Sequence, residues 1–91
     1  MKSSDVRRLC IRRRMRVHFL LPSGVECTID EHGATQCKRG DAFAGAGLAK
    51  LFSRIQHFTL EMNPGAAAHR MTISRRELEQ LAVEVETEVK T

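Results

Sequence analysis

Three sets of residues in this 91-residue chain have the types and spacing to do chemistry. Cys27, His32 and Cys37 follow the second half of a C-x2-C-x4-H-x4-C zinc motif, with Gly24 where a further ligand belongs. Structural zinc is almost always four-coordinate, so a fourth donor would have to come from Cys10 or His18. Zinc binding through Cys27, His32 and Cys37 therefore stands behind the interaction-module and nucleic-acid readings. The second set is His18 beside Thr28 and Glu26, the one cluster that could converge for acid–base work. It has no recognisable triad or carboxylate pair, and it reads equally well as an ordinary polar sheet face. The third set is Arg7, Arg8, Arg12, Arg13, Arg14 and Arg16, which could neutralise phosphates, binding that would fall steeply with salt.

Gly40, Gly45 and Gly47 lie between a strand and a helix, where phosphate-cradling loops occur. They complete neither G-x-G-x-x-G, because Lys50 takes the third glycine position, nor G-x-x-x-x-G-K-[ST].

The charge is unevenly placed. Residues 1–16 hold seven cations against Asp5 alone, a net of +6, whereas residues 17–91 hold eight basic and ten acidic residues, a net of −2. The overall +4 thus belongs to a leader, read as a basic arm over 1–14, with the folded domain starting at Met15. The arm also reads as a helix capped by Ser4 with Val6, Leu9 and Cys10 on one side, as a short Arg-rich targeting segment, or as a disordered extension. Four Phe and no Trp or Tyr exclude the aromatic platform used by single-strand binders. No apolar run is long enough to span a bilayer.

From Met15 to Asp30 the pattern alternates with period two around Pro22-Ser23-Gly24, a three-residue hairpin turn. That register sets Leu21 against Val25, Phe19 against Cys27 and Val17 against Ile29 on one face, with His18 against Thr28 on the other. A second turn, Glu31-His32-Gly33, leads to a third strand ending near Lys38, with Cys37 opposite Cys27. A disulfide there is geometrically allowed, but three cysteines and no secretory signal favour thiols in a reducing, cytoplasmic setting. Leu48, Leu51, Phe52 and Ile55 repeat at helical spacing and predict a helix over 42–56, with a strand over 57–62 and a short edge strand over 69–73. Ser74 and Glu77 form a capping box for an amphipathic helix over 75–89, with Ile73 and Leu78 as its hydrophobic staple.

Strand–strand–strand–helix–strand, with Cys37 and Gly40-Asp41 ahead of the helix, resembles the HicB-type antitoxins over a few residues. The Cys-to-Gly spacing is one residue short of that pattern, and no functional residue carries across. The expectation is a single α+β domain over 15–91, acting as a non-catalytic interaction or regulatory module without a cofactor. Its partner would be a second copy of itself or another protein, and not a membrane; nucleic acid binding through the arm is the alternative.

Overall fold

Pro22-Ser23-Gly24 turns the chain as expected, with Gly24 at φ 88° and Leu21 N–H donating to Val25 O at 2.9 Å. It joins β1 (Met15–Leu20) to β2 (Glu26–Ile29) in the expected register, Val17 opposite Ile29, His18 opposite Thr28 and Phe19 opposite Cys27. β3 (Thr35–Cys37) follows, with Cys37 opposite Cys27. β4 (His57–Met62) pairs with the other side of β1, and β5 (His69–Ser74) with β4. The result is one antiparallel five-stranded sheet in the order β3-β2-β1-β4-β5. The computed structural model describes residues 1–38, 50–64 and 69–90, and the side chains of all but the last two of these.

Residues 1–14, read as a basic arm, contain helix α1 (Ser3–Arg13). Its cap is not Ser4: Lys2 precedes the first turn, and its N–H donates to Asp5 Oδ2 at 2.8 Å. Val6, Leu9 and Cys10 are buried in the same core as Val17, Phe19 and Ile29. Burying side chains of that size is worth roughly 1.5–3 kcal/mol each, several times an exposed ion pair. The apolar stripe therefore docks the helix, and the arginines decorate its outside. Gly33 turns the chain between β2 and β3 at φ 84°, a conformation that favours glycine, with the Ile11 side chain of α1 against it.

Helix α2 (Arg75–Lys90) begins at the expected cap. Glu77 N–H donates to Ser74 Oγ at 3.2 Å, and Ser74 N–H donates back to Glu77 Oε1 at 3.2 Å. Ile73 and Leu78 are both buried, as the staple requires. The two helices lie side by side on one face of the sheet, α1 against β1 and β2, α2 against β4 and β5.

Most of the helix expected over 42–56, including Gly40, Gly45, Gly47 and Leu48, lies outside the described residues. Its described part is helical only to Phe52, four residues short of the expected end. Two turn bonds follow, Arg54 N–H to Leu51 O at 3.0 Å and Ile55 N–H to Phe52 O at 3.1 Å. The reason is Arg75, whose guanidinium donates to Ile55 O at 2.6 Å and to Phe52 O. It also stacks 5.3 Å from the Phe52 ring and 5.6 Å from Phe58. Free carbonyls at a helix end need donors, and here one cation supplies them while covering the aromatic cluster of Phe19, Phe52 and Phe58.

Candidate functional site

With both helices on one side, the opposite face of the sheet is polar, and the described helices leave it uncovered. Period-two alternation puts one hydrogen-bonding side chain from each strand in a row across it: Gln36, Thr28, His18, Thr59 and Thr72. A shallow depression of about 380 Å³ on this face is lined by His18, Thr28, Gln36, Thr59, Glu26, Lys38 and Arg70.

Glu61 organises the face. Although only 4% exposed, it receives Arg70 Nη2 at 2.7 Å and Nε at 3.0 Å, and it lies 3.2 Å from His18 Nε2. Burial pushes its carboxyl up, but the hydrogen bonds from Arg70 and His18 outweigh that and hold it below the usual carboxylate range. His18 Nδ1 lies 2.8 Å from Thr28 Oγ1. A neutral imidazole satisfies both contacts, with the Thr28 hydroxyl donating to Nδ1 and Nε2–H donating to Glu61. Next along the face, Arg16 donates twice to Glu31, at 2.6 and 3.0 Å. That pair brings the Glu31 carboxyl down to about 2.

The cluster expected around His18 is therefore present with one member exchanged. Thr28 is in place, but the carboxylate is Glu61, while Glu26 pairs with Lys38 at 2.6 Å. Thr28, His18 and Glu61 have the order of a nucleophile, base and orienting acid, yet they sit mid-strand on β2, β1 and β4, all internal to the sheet. Backbone N–H groups there lie in the sheet plane within the ladders, so none is aimed at a carbonyl held above Thr28. Chemically this is a satisfied hydrogen-bond relay.

The three metal candidates do not converge. Cys27 and Cys37 form a disulfide across β2 and β3, whereas thiols were expected. Lys38 N–H donates to Glu26 O at 3.0 Å, which makes Cys27 and Cys37 a non-hydrogen-bonded pair, the closer kind; their Cα atoms are 4.2 Å apart. His32 is at the turn tip, its side chain 82% exposed. Among the described residues no group of three or more His, Cys, Asp or Glu is placed to hold a metal. Cys10 is buried, its thiol 3.6 Å from Ile29 O, and burial pushes its pKa up to about 12.

The arginines of the leader are mostly engaged within the molecule. Arg7 donates to Gly33 O at 2.9 Å, Arg8 pairs with Asp5 and, at 2.7 Å, with Glu86, Arg13 pairs with Glu88, and Arg16 with Glu31. Among the described residues only Arg12 and Arg14 of this set lack such an acceptor. Two of the leader's cations, Arg8 and Arg13, are answered by Glu86 and Glu88 on α2.

The remaining site is an edge. Arg75 N–H donates to Gln56 O at 2.8 Å, and bonded pairs recur every second residue in an antiparallel ladder. In the observed register, with Ser74 opposite His57, the bonded residues of β5 are Ile73, Met71 and His69. Arg70, Thr72 and Ser74 consequently turn their backbone groups away from β4. The capping box takes Ser74 N–H. No acceptor takes the N–H of Arg70 or Thr72 among the described residues. Sequence reading placed this edge strand at 69–73; what it could not supply was the ladder phase, which depends on the pairing with β4. Comparison with protein-family models, with curated proteins and with solved structures returns no match. Among the described residues no helix is long and apolar enough to cross a membrane.

Proposed function

We propose that the protein is a small non-catalytic interaction module that self-associates by strand addition at the free edge of β5. One observation carries this reading: a six-residue edge strand with outward N–H and C=O groups at Arg70 and Thr72 and, among the described residues, no device that blocks them. Natural edges are usually guarded by proline, bulges, brevity or charge. β5 contains no proline, and its only charged side chain besides His69, Arg70, is folded onto Glu61. Met71, 46% exposed, adds apolar surface at the same place. The non-catalytic part draws support from the Thr28–His18–Glu61 relay, whose members already satisfy one another's hydrogen bonds.

The nucleic-acid reading draws support from Arg12 and Arg14 only, and two phosphate contacts would give a salt slope of roughly −2 on duplex DNA. The Cys27–Cys37 disulfide weighs against a cytoplasmic setting, since cytosolic proteins rarely keep disulfides.

The test is sedimentation equilibrium over a concentration series for the wild type and for Thr72→Pro. Residue 72 gives no bond to β4, so proline there removes an outward donor and spares the internal ladder. A concentration-dependent dimer that Thr72→Pro abolishes is the expected result. A monomer throughout, or a dimer indifferent to Thr72→Pro, sinks the reading.

A further inference from the structure

Resting on that self-association, we infer that the partner is a second copy joined in one antiparallel register, with the two-fold axis passing through Met71 and its symmetry mate. Backbone accounting decides the register. Only even-numbered residues of β5 face outward, so an outward residue must meet an outward residue, and the two positions of any pair must sum to an even number. The two registers with the greatest overlap place the axis at residue 71 or at residue 72.

With the axis at residue 72, Arg70 would face Ser74 of the other copy. Ser74 N–H is already given to Glu77 Oε1, and its carbonyl opens α2 as the cap residue, so that pair loses half or more of its bonds. With the axis at residue 71, Arg70 faces Thr72 of the other copy and Thr72 faces Arg70. All four hydrogen bonds then use groups that nothing else in the described molecule takes.

The side chains agree. Met71 meets its own mate on the helix-covered face, which buries the most exposed apolar side chain of the strand. On the polar face Arg70 stands beside a threonine, its charge already neutralised by Glu61 at 2.7 Å. The dimer is a continuous ten-stranded sheet.

Position 71 is then a non-hydrogen-bonded, directly opposed pair, the arrangement that Cys27 and Cys37 already have at a Cα separation of 4.2 Å. Mild oxidation of Met71→Cys and of Thr72→Cys, with the linkage read by peptide mass spectrometry, is the experiment. Roughly tenfold more cross-linked dimer from Met71→Cys than from Thr72→Cys is expected, because only the closely spaced pair brings two Cβ atoms within disulfide reach. More cross-linking at 72 than at 71, or none at either in a protein that sediments as a dimer, overturns the register. A protein that sediments as a monomer overturns the self-association beneath it, so the two failures are distinct.

Discussion

The two edges of the sheet are built on opposite plans. β3 is three residues long, bonded covalently to β2 through Cys27–Cys37, and followed at once by the Lys38–Glu26 pair. β5 is twice that length, without a disulfide, and its arginine is drawn back onto Glu61. Both edges have outward backbone groups, as any edge must. A short, stapled strand makes a poor template for another chain, whereas a six-residue strand makes a good one. On this contrast β5, not β3, is the edge at which we propose that another strand adds.

The largest way to break the contrast is to unpin β3. Cys37→Ser removes a cross-link closing a loop of sequence separation 10, for which chain entropy predicts a loss of about 2.5–3 kcal/mol. Urea unfolding should show that loss, and hydrogen exchange should speed up at 35–37 more than at 69–74. Equal acceleration at both edges would mean the disulfide does not guard β3 in particular.

Gly33→Ala acts one step further back. The new Cβ would meet the tip of the Ile11 side chain, which can swing aside, but residue 33 is held at φ 84°, where any side chain is strained. A loss of about 1–2 kcal/mol in unfolding free energy is expected. Unchanged stability would show that the turn tolerates a side chain at φ 84°.

A pH series tests the same corner more gently. The folded-state carboxyl of Glu31 is depressed from 4.5 to about 2 by its hydrogen bonds from Arg16. A depressed carboxylate contributes stability above its unfolded value and loses it as pH falls through the folded one. Stability should therefore decline between about pH 4.5 and pH 2, and Glu31→Gln should flatten that part of the curve. An identical slope in the variant would assign the decline to other carboxylates.

Smallest in stability is Thr72→Pro, expected to change monomer unfolding by less than about 1 kcal/mol because the β4–β5 ladder does not use that amide. A much larger loss would show that the residue-72 N–H is needed inside the monomer, and would erase the difference between the edges.

What was legible in the sequence was what neighbours in the chain decide. Pro22-Ser23-Gly24 and the alternation around it specify the β1–β2 register residue by residue, and Ser74 with Glu77 specifies where α2 starts. A helix with Val6, Leu9 and Cys10 on one side was legible as one of several readings of the leader; its docking was not, because the acids that pair with it, Glu86 and Glu88, are more than seventy residues away. Glu61 was missed for the same reason: its place beside His18 depends on β4 pairing with β1 across forty-three positions. The disulfide was judged from cysteine count and compartment, signals that say nothing about a pair 4.2 Å apart at Cα. Ladder phase lies in no local window at all.

The side-by-side packing of α1 and α2 has a consequence for synthesis. Leu9 and Cys10 are among the first core residues to leave the ribosome, and Leu78, Ala82 and Val85, on the helix that packs beside theirs, are among the last. The sheet can begin pairing early and α1 can pack on β1 and β2, but the side of α1 that α2 covers stays open until residues near 85 emerge. Holding such surface in solution until its cover is made is the condition under which chains recruit chaperones or associate prematurely.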